Sequence, residues 1–148
     1  KEDTRLLDVG TGSGILGITA LKLGAKEVKG TDLDENAIVA VGENLKANGI
    51  EPEQFQVMQG NILDDPTVQQ WAGFGCYDVA VANILADVII PLVDEIPVHL
   101  KKGGIFISSG IINLKEQAVL EAFSRNQELE VTEVTRQGEW VSVTARRK

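Results

Sequence analysis

The stretch Arg5–Ala25 reads RLLDVGTGSGILGITALKLGA. An apolar run enters a glycine-rich turn, and a helical pattern follows. Strand, glycine turn and helix in that order form the opening of an α/β unit built around a parallel strand. Gly12, Gly14 and Gly17 spell G-x-G-x-x-G, the dinucleotide fingerprint. The strand ends at Val9, however, and the first glycine of such a turn makes the bend directly after the strand. Gly10 is therefore the first, and the spacing becomes G-x-G-x-G through Gly10, Gly12 and Gly14. The literal fingerprint is out of register with the strand that should feed it.

Outward from this turn the same rhythm repeats. Helical patterns are expected over 13–23, closed by Gly24, over 35–47 behind Asp34 as N-cap, and over a short segment from Pro66 capped by Asp65. Strands are expected over 27–31, 55–59, 77–83 and 103–109. Residues 86–100 read as a helix despite two prolines, with Pro91 kinking or starting its regular part, and 114–124 as another. Leu129–Thr135 and Trp140–Ala145 then alternate with a two-residue period around Gln137-Gly138, the pattern of a β-hairpin. The expected fold is a doubly wound, mostly parallel sheet of about seven strands closed by an antiparallel carboxyl-terminal hairpin.

The bulk properties bound the chemistry. At 148 residues the chain has the length of one domain. Cys76 and His99 are each the only residue of their kind, which argues against a disulfide framework, a metal centre or a Ser-His-Asp triad. The net charge of −8 disfavours direct nucleic-acid binding; it either draws in a basic partner or serves only solubility. No apolar run reaches membrane-spanning length. These features suggest a cytoplasmic protein. The sequence starts at Lys1, almost in a strand, which raises the expectation of an upstream part.

Four strand ends place polar side chains where open α/β sheets bind ligands. Asp8, two residues before Gly10, would repel a pyrophosphate and suits a cationic ligand; the alternative is a cap on local backbone amides. Asp32 ends the second strand, where a carboxylate accepts both ribose hydroxyls of an adenosine in any of several cofactors. Asn61 follows the third strand and either reads an adenine edge or serves as a plain turn residue. Asn83 ends the fourth strand and either holds an attacking amine by its hydrogens or starts a loop. Trp71, Trp140 and Met58 are expected to pack in the interior, His99 to be exposed late on its helix, and Lys101 and Lys102 to follow a helix C-terminus.

The segments LDVGTGSG and GTDLDENAI, with the closing hairpin, resemble class I S-adenosylmethionine-dependent methyltransferases. More narrowly, DVGTGSGILGITALKLGAKEVKGTDLDENAI, VANILADVIIPL and LKKGGIFISSGII are similar to the bacterial PrmA-type family, which methylates the eleventh protein of the large ribosomal subunit. The resemblance spans nearly the whole chain. It implies S-adenosyl-L-methionine as cofactor and a basic ribosomal protein as substrate. It also implies a cofactor site at Asp8, Gly10, Thr11, Gly12, Gly14, Asp32, Leu33, Asn61, Ile62 and Asn83, with Asn83 beside the reactive methyl. The family's amino-terminal recognition domain and its GTGxHxTT stretch are not in this sequence, so residues 1–148 are expected to be the methyltransferase domain alone and to turn over poorly without them. Asn83-Ile84-Leu85-Ala86 stands where related amine and amide methylases carry Asn-Pro-Pro-Tyr, so their aromatic clamp does not carry over. The rivals are a methyltransferase of RNA or a small molecule on the same core, a non-catalytic adenosine-binding module, and a nicotinamide oxidoreductase, which calls for a fully parallel sheet.

Overall fold

The computed structural model describes residues 3–148. The chain divides into two compact units, Lys1–Gly73 and Phe74–Lys148. The first supplies three strands and the second four.

The first unit contains β1 (Arg5–Val9), α1 (Ile15–Lys22), β2 (Glu27–Asp32), α2 (Glu35–Ala47), β3 (Phe55–Gln59) and α3 (Pro66–Ala72). Its strands lie in the order β3-β2-β1, all parallel, with Asp8 opposite Gly30 and Thr31 opposite Met58. The caps fall where the sequence signals them. The Asp34 side chain accepts from the Asn36 N–H at 2.9 Å, and Asp65 from Thr67 N–H at 2.9 Å, each satisfying an orphan donor of a helix start. The helix α1 is shorter than its apolar pattern, because Gly14 takes a left-handed conformation (φ 86°) as its N-cap. Leu7, Val28, Val41, Phe55 and Val68 form the core of this unit. Gly17 is part of that packing: a Cβ there would lie 2.4 Å from the Phe55 ring. It therefore serves helix–strand contact and not the turn. Met58 is only half-buried, and Trp71 is half-buried beneath the Lys29 ammonium, 4.7 Å from the ring centroid.

The second unit contains β4 (Tyr77–Asn83), α4 (Ala86–Glu95), β5 (Leu100–Ile112), α5 (Glu116–Arg125), β6 (Leu129–Gln137) and β7 (Trp140–Arg147). Its order is β4-β5-β7-β6; β4 and β5 are parallel, and β5, β7 and β6 are antiparallel. The hairpin turns at Gly138-Glu139, with Gln137 paired to Trp140. The antiparallel closure departs from the fully parallel sheet that a nicotinamide oxidoreductase calls for.

Several expectations need correction here. Helix α4 stops at Glu95 and passes into a 3-10 turn over Ile96–His99, because Pro97 cannot donate to the α-helical ladder. Lys101 and Lys102 consequently belong to β5, and Lys101 pairs with Asp78 at 3.1 Å. His99 is fully buried: its ring stacks on Phe74 (centroids 5.3 Å apart) and its Nε2 lies 2.8 Å from Glu95 Oε2. Trp140 is 55% exposed and does not pack in the core. Helix α5 begins at Glu116 after a 3-10 turn over Asn113–Lys115. Among the described residues no helix is long and apolar enough to cross a membrane, and no His/Cys/Asp/Glu group has metal-binding geometry.

Candidate functional site

The turn after β1 is built from three left-handed glycines, Gly10 (φ 77°), Gly12 (φ 55°) and Gly14 (φ 86°). Side-chain-bearing residues adopt this region at a steric cost, so the G-x-G-x-G spacing is a conformational requirement. The turn is pinned to β2: the Gly10 and Thr11 N–H groups both donate to the Thr31 carbonyl, at 2.8 and 3.1 Å. Gly14 N–H donates to the Thr11 carbonyl at 2.8 Å and so closes the turn on itself before α1 begins.

Asp32, the last residue of β2, faces this turn. Its Oδ2 accepts from Gly12 N–H at 2.9 Å and its Oδ1 from Asp34 N–H at 3.0 Å. A carboxylate has about four lone-pair positions. Two backbone amides therefore fix its orientation and still leave each oxygen able to accept a ligand hydroxyl. Gly12 thus anchors the Asp32 carboxylate through its N–H, a contact that spacing alone does not reveal.

Asp8 is the most unusual residue in the unit. It is 1% exposed, and neither carboxylate oxygen has a hydrogen-bond partner. Burial, with the nearby Asp32 carboxylate as a second contribution, raises its pKa from 3.8 to about 7. A buried ionised carboxylate without partners is costly. The alternative reading of Asp8 as a cap for local amides finds no such hydrogen bond here. The Thr11 hydroxyl is in the same condition, 6% exposed with its oxygen unpartnered. Gly30 in mid-β2 makes that placement possible, since a Cβ there would lie 2.1 Å from Thr11 Cγ2. A glycine inside a strand signals such a close approach, and its signal in this sequence is easily passed over.

The third strand end is joined to the second. Gly60 N–H donates to the Asp32 carbonyl at 2.9 Å, which brings the loop holding Asn61 beside Asp32. Asn61 Oδ1 accepts from Leu63 N–H at 3.0 Å, an Asx turn, which fixes the carboxamide and leaves its amide hydrogens for a ligand. Ile62 is 2% exposed and its side chain is committed to the core, so a ligand contact there falls to the backbone. Leu33 is 66% exposed beside Asp32 and offers an apolar surface. The first unit thus brings together Asp8, the glycine turn with Thr11, Asp32, Leu33 and the Asn61 loop. Chemically this set suits a ligand that combines vicinal hydroxyls with a positive charge.

In the second unit, Asn83 closes β4 opposite Ser109 of β5 and is exposed. Among the described residues nothing hydrogen-bonds to its side-chain amide.

Comparison with known proteins gives a consistent picture. The ribosomal protein L11 methyltransferase (PrmA) family matches residues 1–148. A ribosomal protein L11 methyltransferase of Lachnospira eligens is 54% identical over 148 residues, covering 100% of this chain and 46% of that protein. One from Agathobacter rectalis is 50% identical over 147 residues, covering 99% of this chain and 45% of its own length. The chain therefore spans about half the length of the curated relatives it matches. Among solved structures, a ribosomal protein L11 methylase from Lactobacillus delbrueckii subsp. bulgaricus superposes with a TM-score of 0.85 at 35% identity, over 97% of this chain and 70% of that one.

Proposed function

The chain belongs to the ribosomal protein L11 methyltransferase (PrmA) family, and from that premise we propose that it is the cofactor-binding and methyl-transferring part of an S-adenosylmethionine-dependent protein methyltransferase of the cytoplasm. The observation that carries the reading is Asp8, a fully buried carboxylate whose two oxygens lack partners. It fits a cofactor with a sulfonium and an α-ammonium group, which would supply the missing charge. A phosphate-bearing dinucleotide would instead be repelled.

The residues fit this cofactor in three places. Asp32 has free acceptor positions for the two ribose hydroxyls. Leu33 would meet the adenine by apolar contact and the Asn61 amide by donation. The glycine turn lets the ligand approach the backbone, and the Thr11 hydroxyl has hydrogen-bonding capacity to spare. When bound, S-adenosylmethionine supplies an activated methyl group whose departure needs no acid catalyst.

What remains for the protein is alignment, which contributes up to ~7–11 kcal/mol in well-oriented systems. Asn83 is the candidate for that task. Its carboxamide oxygen can accept a hydrogen from an amine and hold the nitrogen lone pair toward the methyl. The acceptor is a basic ribosomal protein, ribosomal protein L11 by the names of the relatives. The net charge of −8 favours a basic protein over RNA as acceptor.

The test is a methylation assay with purified ribosomal proteins and ribosomal RNA, using the full-length protein and its Asn83→Ala variant. Label is expected on ribosomal protein L11. The variant should lose turnover far more than cofactor affinity, the pattern of an interaction made mainly in the transition state. Label on RNA with unlabelled protein refutes the substrate assignment. An unchanged turnover in Asn83→Ala refutes the role given to Asn83.

A further inference from the structure

Asn83 ends a strand and is exposed, and its carboxamide lies against a glycine of the neighbouring strand β5. β5 pairs in register with β4 through Asn83 and Ser109, while its register against β7 slips between Ser108 and Ile111. Ser109 and Gly110 therefore form a bulge, a device that re-aims nearby side chains. Ser108 anchors the inner side of the bulge by donating to the Val143 carbonyl at 3.1 Å.

Gly110 has φ 77°, and a Cβ built on it would lie 2.3 Å from Asn83 Oδ1, 3.5 Å from its Cγ and 3.6 Å from the Ile84 carbonyl oxygen. The carboxamide of Asn83 thus occupies the volume a side chain at position 110 would take. Two separate demands for glycine meet at this position, the left-handed backbone and the missing Cβ. Gly103, on the same strand, has φ 81° and nothing within 4 Å of its virtual Cβ. It carries the first demand without the second.

We propose that Gly110 is a positioning residue for methyl transfer: its bare Cα admits the Asn83 carboxamide and thereby sets where the Asn83 oxygen lies. This rests on the reading that Asn83 holds the acceptor amine. The terminal torsion of an asparagine is broad and weakly restrained by itself, so neighbouring backbone has to supply the restraint. A methyl group at position 110 would push Oδ1 by about 1 Å to reach ordinary contact, and a misplacement of that size costs about 10²-fold in rate.

The test uses the full-length protein with purified ribosomal protein L11 and labelled S-adenosylmethionine. Gly110→Ala and Gly110→Asn are expected to lower kcat by about 10²-fold while S-adenosylmethionine affinity changes by less than about twofold. Gly110→Asn guards against a folding failure, because Asn tolerates the left-handed region yet still carries the Cβ. Gly103→Ala is expected to keep kcat within about twofold, since it shares only the backbone strain. In an Asn83→Ala background, Gly110→Ala should have no further effect on kcat, as expected when one residue acts through the other. Equal losses in Gly110→Ala and Gly103→Ala would overturn the proposal, because strain alone would then account for both. Additive losses at 83 and 110 would overturn it as well. Full activity in both Gly110 variants, with Asn83→Ala inactive, would overturn it while leaving the role of Asn83 intact. Full activity in Asn83→Ala would overturn both.

Discussion

Replacing Asp8 with Asn removes the charge and keeps the shape of the side chain. Its carboxyl rises from 3.8 to about 7 because of burial and, second, the Asp32 charge. That displacement corresponds to about 4 kcal/mol between the protonated and ionised forms. The group is almost wholly buried, so solvent screening does not erase the effect. The sign follows from the direction of the shift. A carboxyl whose folded-state pKa exceeds its unfolded value leaves the fold most stable below pH 3.8, and that stability is lost as pH rises through about 7. Of the total, about 2 kcal/mol is lost between about pH 5.5 and about pH 8.5.

Asp8→Asn should therefore be more stable than the wild type at the higher pH, by an amount that shrinks as pH falls. Urea unfolding at the two pH values, followed by Trp71 fluorescence in a Trp140→Phe background, measures this in the unit that holds Asp8. Ligand binding should move the opposite way. A cationic cofactor needs Asp8 ionised, so S-adenosylmethionine should release about half a proton at pH 7 on binding to the wild type. The Asn variant should release none and bind more weakly. Calorimetry in buffers of different ionisation heat reads both quantities. An Asn variant that is destabilised equally at both pH values would refute the reasoning, because it would mean that the carboxylate makes a hydrogen bond in the folded chain.

Asp32→Ala should weaken S-adenosylhomocysteine binding by roughly 1–3 kcal/mol, since charge-assisted hydrogen bonds to the ribose are lost together with the anchor of Gly12; unchanged affinity by calorimetry would remove Asp32 from the site. Gly10→Val should abolish cofactor binding with little loss of helix content by circular dichroism, because φ 77° is a severe demand on a β-branched residue. Normal binding by that variant would show that the turn is not the cofactor cradle.

Much of the candidate site is legible because it rests on local chemistry. The end of β1 at Val9 and the spacing of Gly10, Gly12 and Gly14 mark a left-handed turn through the short-range sterics of the backbone. Asp34 and Asp65 announce helix starts, because a cap bonds to an amide two residues away. The period-two pattern after residue 128 marks the hairpin, because alternation along a strand is also local. Asp32 and Asn83 stand at strand ends that the same patterns locate.

Other features were decided only when distant segments met. His99 reads as an exposed residue late on a helix, yet it is buried against Phe74 and Glu95, since Pro97 ends α4 early and turns the chain inward. Trp140 reads as packing and is exposed at a strand pair that no single segment defines. That Gly12 holds Asp32, that Gly30 seats Thr11 and that Gly110 makes room for Asn83 depends on neighbouring strands in register. The order of strands and helices, the turn and the acids at the strand ends are readable from the chain, because they follow from contacts between near neighbours. The tertiary structure decided which of those acids lost its water and its partners, because desolvation depends on every segment that packs around a group and on none of them alone.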